Sequence, residues 1–430
     1  MSNTRSLTSL GPRYAALWVG QAVSQFGSYV AYLSLPLLVA YIHRTQSAGE
    51  GSVLDFSITY ALETGPTLLI GLVGGVVLDR WHLRPMMVAT DLLRACAFFY
   101  LAGHIDNYGV STVFVVAFLV GSLNTLFDGA MYAVVPGLVP EHRLAQANSL
   151  IAASQQANFA LGPMAAGIMS FTTRTPALGL YINGLTFIVS AISLYWVGRV
   201  AHHRPDSDER QGFFTEAANG IRYIMAEARL RLTTIASAIP NFVFGFIEAT
   251  FVVLAYDVFK TENDFQVGLL IAAFGVGGLF GALASPSIIR RIGLGKTMTI
   301  GMAITGICMV AVMQTQYGFL AIVLQIGWMV GIGLINVSLA TIRQHYATPS
   351  MLGRVISASR ALGWATLPIG ALVGGWLGSL DSIEDSYQIV AQTFPILIVG
   401  TAIWMFTTVV WRDTFGPREE TDETAGVAPT

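Results

Sequence analysis

Apolar residues along this chain gather into runs separated by short polar breaks, each run close to the ~20 residues that a helix needs to cross ~30 Å of hydrocarbon. They lie at about 14–41, 55–78, 86–103, 110–135, 145–171 and 177–197. After a longer polar interval they resume at 233–256, 266–289, 297–315, 318–341, 354–379 and 389–411. The pattern predicts an all-α membrane protein of twelve transmembrane helices in two pseudo-symmetric six-helix bundles, over 1–197 and 232–411. Between them, 198–231 forms a cytoplasmic linker, and 412–430 is a polar tail that reads as disordered. The second half of the linker, FFTEAANGIRYIMAEARL, places Phe214, Ala217, Ile221, Ile224 and Ala228 on one helical face. That spacing predicts an amphipathic helix lying on the cytoplasmic leaflet.

The two halves read as parallel repeats. Gly75 and Gly281 lie 206 residues apart, each ahead of a basic pair, and Pro163 and Pro368 lie 205 apart. Such repeats imply a central pathway with a binding site near mid-membrane between the bundles.

Composition agrees with a lipid-facing surface. Of 430 residues, 54% are hydrophobic and only 11% charged, against ~25% charged in soluble domains, and the mean hydropathy is +0.62. A net charge of −2 offers no field to recruit nucleic acid. Cys96 and Cys308 lie inside apolar runs and are expected to be buried thiols. The first dozen residues lack the apolar core of a signal peptide, so the first run reads as a retained span. Counting Lys and Arg on each side gives 20 on the side of the amino terminus and 3 on the other, namely Arg44, Arg174 and Lys260. Both termini are therefore expected in the cytoplasm, with the chain in the plasma (inner) membrane.

The stretch GLVGGVVLDRWHLRPMMVATDLLR, from Gly71 to Arg94, packs charge between two apolar runs, as a short aqueous loop between membrane helices does. It resembles the loop between the second and third spans of the major facilitator superfamily. Gly75, Asp79, Arg80 and Arg84 fit that pattern, whereas His82 and Leu83 stand where the family usually has Gly and a basic residue. In the fifth span, ANFALGPMAAG resembles the Gly-Pro motif of the superfamily's antiporters: Gly162, Pro163 and Gly167 fit, and Asn158 and Ala166 replace the outer glycines. LWVGQAVSQFGSYVAYLSLPLLV, HRLAQANSLIAASQQANFALGP and GRVISASRALGWATLPIGALVGG extend the likeness to the exporter branch related to macrolide and enterobactin efflux proteins. The fourth span departs from the family in lacking the Arg that many antiporters carry there.

Charges in hydrocarbon are expensive and need a reason. Asp91 and Arg94, three apart on one helical face, read first as a structural ion pair. Asp128, in the inner third of the fourth span, either pairs with Arg94 or a neighbouring helix end, or carries protons. Glu63 and Glu248 have no cation predicted at their depth. A carboxyl in oil without a counter-charge can take up and release a proton in the physiological range, which suits a proton-driven transporter. The alternative is a carboxyl bonded to backbone at the Gly65-Pro66 break, or one wetted by an outer vestibule.

The resemblance implies that the first, fourth, seventh and tenth spans line the cavity. That makes Gln21, Ser24, Gln25, Tyr29, Tyr32, Asn241, Phe244, Phe246, Gln325, Trp328 and Asn336 the candidate substrate contacts, aromatic walls with a few amides for an amphipathic ligand. Asp79 and Arg80, with Gly353, Arg354 and Arg360 at the start of the eleventh span, are expected to form a cytoplasmic latch. No P-loop, nucleophile elbow or metal-ligand spacing occurs, and His202 and His203 read as a solvated loop pair. The expectation is thus a non-enzymatic, cofactor-free monomer that exports a drug, antibiotic or siderophore-like natural product against protons, conferring drug resistance. A membrane sensor that kept the fold without transport is the rival.

Overall fold

A computed structural model describes residues 10–46, 53–67, 82–140, 143–198, 213–257, 259–315, 317–348, 351–377, 379 and 383–412. The expected polar tail after Arg412, His202 and His203, and Gly75, Asp79 and Arg80 of the expected latch lie outside them.

Among the described residues the chain is helical throughout. The first set of helices is α1 (Pro12–Gln46), α2 (Val53–Thr64), α3 (Leu83–Gly103), α4 (Val110–Val134), α5 (Leu144–Thr173) and α6 (Ala177–Val197). A short α7 (Phe213–Ala226) leads to a second set: α8 (Ala228–Ala249), α9 (Phe251–Asp257), α10 (Asp264–Ile292), α11 (Leu294–Gln314), α12 (Gly318–Tyr346), α13 (Leu352–Trp364), α14 (Thr366–Leu377) and α15 (Ile383–Phe406). Among the described residues, nine helices are long and apolar enough to cross a membrane. α5 is not one of them despite its 30 residues, because Gln146, Asn148, Gln155, Gln156 and Asn158 make one stretch of it polar.

Small residues set the packing, as expected where lipid removes the hydrophobic drive between helices. Gly20, Gly27 and Gly179 let α1 and α6 run against each other, and Gly301 and Gly331 do the same for α11 and α12. Irregular backbone is stitched from inside. Between α13 and α14, Thr366 Oγ1 donates to the carbonyls of Gly363 and Ala238, and Asn241 Nδ2 donates to Gly363 at 3.0 Å. Hydrocarbon tolerates an interrupted helix only where protein satisfies it in this way. Gly293, at φ +88°, makes the turn from α10 to α11 that a side chain would resist.

α7 ends at Ala226, short of the Ala228 expected on its apolar face. Glu227 caps the start of α8 by accepting from the Arg229 amide, so Ala228 belongs to the next helix. The face that is covered carries Gly220, Tyr223 and Ile224: Gly220 meets the Arg354 carbonyl and Ala358 of α13, and Tyr223 donates to the Tyr346 carbonyl of α12 at 3.1 Å. Ile221 and Met225, beside it, are exposed. The thiols also differ from expectation: Cys96 is exposed and Cys308 half-buried. An apolar run does not separate protein-facing from lipid-facing positions, since both are apolar.

The apolar interior fixes the shape. Call the end of the molecule that carries Pro12 the terminus end, and the opposite end the far end. At the far end one cluster takes residues from both sets, among them Leu38, Phe98 and Phe187 with Phe246, Phe251 and Phe274. At the terminus end the described residues form two separate clusters, one around Tyr14, Met87 and Phe127, the other around Leu230, Met298 and Ile342. The sets are joined chiefly by α5 on α10 and α2 on α14.

Candidate functional site

Layers of side chains stack along the seam between the two sets. The outermost, at the far end, centres on Asp264, the first residue of α10, where Asn263 caps the helix by accepting from the Gln266 amide at 3.1 Å. Asp264 accepts from Tyr256 of α9 through one oxygen and from Ser170 of α5, across the seam, through the other. The Arg44 guanidinium of α1 stands 5.5 Å over the Tyr256 ring. The layer is therefore a polar clasp drawn from both sets.

One step inward lies a cavity of ≈ 20 Å³, room for a water or two and none for a drug-sized ligand. It is lined by Tyr32, Thr59, Tyr60, Glu63 and Glu248 amid apolar side chains. Glu248 of α8 is 7% exposed; Tyr32 of α1 donates to its Oε1, and its Oε2 has no hydrogen-bond partner. Glu63 is half-buried, and its backbone is pressed against Gly121 of α4. Two carboxyls 185 positions apart in sequence thus share one chamber.

Beneath it runs an aromatic layer. Tyr29 and Tyr32 meet Phe159 of α5 at 5.2 and 6.0 Å. Phe159 reaches Phe274 of α10 across the seam at 6.4 Å, and Phe274 packs on Trp328 at 5.1 Å and on Phe244 at 6.1 Å. The Tyr32–Phe159 and Phe274–Trp328 pairs meet edge-to-face and the others are tilted, geometries that aromatic rings favour over a face-to-face sandwich. Gln325, one turn from Trp328 on α12, is fully buried with neither amide atom bonded, and the Trp328 indole nitrogen is likewise unpartnered.

The remaining candidates fall elsewhere. Gln21 is buried and donates to Ser190 of α6 at 3.2 Å, Ser24 is buried, and Gln25 is half-buried with its Oε1 unbonded. Asn241 ties α8 to the α13/α14 break as above. Phe246 is fully buried against Gly374 of α14, and Asn336 is exposed. Gly162 lies against Tyr29 and Val30 of α1; Pro163 and Gly167 lie against Gly268 of α10.

Toward the terminus end, Asp91 and Arg94 form the ion pair expected of them, at 2.5 Å. Arg94 also donates to Asn124 Oδ1 at 2.6 Å and is sandwiched between the Phe127 and Phe187 rings at 4.5 and 4.3 Å. Asp128 is exposed on α4 and adds its field to the same guanidinium. Arg84 closes the end of α6, donating to the carbonyls of Leu194 and Tyr195 at 2.9 and 3.2 Å. Arg354 reaches the Met351 sulfur at 3.6 Å; the surroundings of Gly353 and the side chain of Arg360 lie outside what the structure describes. Tyr60, Phe159, Ser170, Asp264 and Phe274 join these layers without having been singled out in the sequence. Tyr60, one turn before Glu63, had a usable signal, since i, i+3 neighbours share a helix face.

Among the described residues no group of His, Cys, Asp and Glu could hold a metal ion. Residues 17–371 match the sequence profile of the Major Facilitator Superfamily. The chain is 25% identical to the multidrug efflux pump Tap of Mycolicibacterium fortuitum, over 93% of this chain and 96% of that protein. It is 24% identical to macrolide efflux protein A of Streptococcus pyogenes, over 84% and 88%. Its fold resembles the crystal structure of a bacterial homologue of the iron transporter ferroportin in an inward-facing state, with TM-score 0.69 and 17% identity over 94% of this chain and all of that one (100%).

Proposed function

The chain belongs to the Major Facilitator Superfamily, and on that premise we propose that it exports an amphipathic small molecule, a drug, antibiotic or siderophore-like natural product, by alternating access in exchange for protons. A multi-pass membrane transporter, and not an enzyme, is what the family and the efflux relatives support. The proposal takes twelve spans, six in each of the bundles 1–197 and 232–411, with 198–231 as linker and both termini in the cytoplasm of the cell that carries it in its inner membrane. The far end is then the outer end.

The observation that carries this reading is the division of the apolar interior: one cluster spanning both sets at the far end, two separate clusters at the terminus end. Among the described residues the apolar interior is shared at one end and divided at the other, which supports one of the two states that alternating access requires. In the proposed orientation that state is open to the cytoplasm and shut to the outside. The aromatic layer with the unbonded amide of Gln325 is the proposed ceiling of the substrate cavity, with Gln25 a further proposed contact, apolar faces giving affinity and sparse amides orientation. Glu63, Glu248 and Asp128 are the proposed proton carriers, and Asp79, Arg80, Arg354 and Arg360 the proposed latch of the opposite state.

Counterflow in proteoliposomes tests the proposal. Internal amphiphile should drive transient uptake of labelled external amphiphile without any ion gradient. A chain that binds the same compounds and shows no counterflow is a sensor, not an exporter.

A further inference from the structure

The aromatic layer is built by α1, α5, α8, α10 and α12. Through the membrane these helices are almost without charge. No Asp, Glu, Lys or Arg occurs between Arg13 and Arg44 of α1, between Arg143 and Arg174 of α5, between Asp264 and Arg290 of α10, or between Gly318 and Arg343 of α12. Between Arg231 and Asp257 the sequence carries only Glu248, to which Tyr32 donates in the small chamber beyond the layer. Amides stand there instead. Gln25 of α1 is half-buried with its Oε1 unbonded. Gln156 of α5 is half-buried at the seam, its Oε1 3.2 Å from where a Cβ on Gly278 of α10 would stand. Gln325 and Trp328, three apart, share a face of α12. Both are fully buried, and neither the carboxamide nor the indole nitrogen has a partner. Phe244, half-buried, covers Trp328 edge-to-face at 5.8 Å.

Buried polar atoms left unbonded cost free energy in the fold that holds them, and each calls for a reason. The surroundings say what kind of partner would relieve them. An ion brought to this layer would leave its hydration behind with no counter-charge to replace it. Ring faces can attract a cation, but here the rings are packed on one another. A carbonyl or hydroxyl group fares differently, because amide and indole N–H groups donate to it and amide oxygens accept from it, in place of water. We infer that the exported amphiphile is uncharged, and that Gln325 and Trp328 recognise its carbonyls and hydroxyls once it displaces the Phe244 ring. The inference rests on the transport reading above and narrows its substrate to neutral, oxygen-rich amphiphiles. A purely apolar molecule of the same size leaves the Gln325 amide as unsatisfied as it is in the empty protein, and so gains nothing from it.

Counterflow with matched triplets of labelled amphiphiles tests this on the full-length chain in proteoliposomes. Each triplet shares one hydroxyl- and carbonyl-bearing skeleton, chosen to cross protein-free liposomes slowly; one member is neutral, one carries a quaternary ammonium and one a sulfonate. The neutral member should exchange, and both ions should exchange at least about ten-fold more slowly, as expected for a charge left unpaired. An ion that exchanges as fast as its neutral partner, or in its place, overturns the inference and leaves export standing. If no member of any triplet exchanges, export itself is contradicted. Gln325→Leu separates recognition from architecture. It should slow exchange of the neutral member about ten-fold, the effect of one lost hydrogen bond to a buried group. It should not lower the thermal midpoint of the empty chain, because it removes two unbonded atoms from the interior. A variant that exchanges the neutral member at the unsubstituted rate overturns the role of Gln325, and so does one that loses exchange together with its thermal midpoint, as a structural amide would.

Discussion

Leucine at Gly268 should hold the far end of the seam apart and reduce counterflow by ten- to a hundred-fold. On α10, Gly268 faces the Pro163 carbonyl of α5, and a Cβ built there would stand 2.5 Å from that oxygen and 3.2 Å from the Gly167 Cα. Both are backbone atoms, so no side-chain rotation relieves the clash, and α5 and α10 must separate. Overpacking of this kind costs about 1–3 kcal/mol, and each ~1.4 kcal/mol is tenfold in a population. The same change at Gly400 of α15, where a Cβ would meet nothing within 4 Å, should leave the rate unaltered. Initial counterflow rates of the two variants, at equal reconstituted protein, check this; equal rates would show that the Gly167/Gly268 crossing is not part of the gate.

Glutamine at Glu248 should abolish accumulation driven by a proton gradient while sparing gradient-free exchange. The introduced amide keeps an oxygen for the Tyr32 hydroxyl and adds a donor where Oε2 now has no partner, so the closed seam survives the change. What it loses is the ability to ionise, and with it any reason for the gate to respond to pH. Uptake of amphiphile into inverted membrane vesicles, with and without an imposed gradient, reads both quantities at once. Gradient-driven uptake that matches the unsubstituted chain would remove Glu248 from coupling.

The helical character of the chain and the places of its helices were legible because a span announces itself by length and by the charges that bound it. The Asp91/Arg94 pair was legible too, since three residues along one helix settle which side chains meet. The seam was not. Phe274 lies in a run where every neighbour is apolar, so nothing in the pattern marks the side facing α5, and Cys96 turned outward for the same reason. In membranes small and polar residues distinguish a packed face from a lipid face, and Gly162, Gly167 and Gly268 do lie at the α5 crossings. Glu63 and Glu248 could each be picked out as a carboxyl lacking a counter-charge, but that they share a chamber with Tyr32 and Tyr60 depends on how the two sets close. The end of α7 was placed too far along, because the helix stops at Ala226, where Glu227 opens the next, a boundary that periodicity alone does not show.

Two spin-label pairs on one preparation address the alternation of the two ends most directly. One spans the far end, Thr172 to Glu262; the other spans the terminus end, from exposed Asn148 of α5 to exposed Gln344 of α12. As pH or added amphiphile shifts the equilibrium, the two distances should change in opposite senses, one lengthening as the other shortens. Distances that move together, or a far end that stays shut under every condition, would contradict a transporter that works by opening its ends in turn.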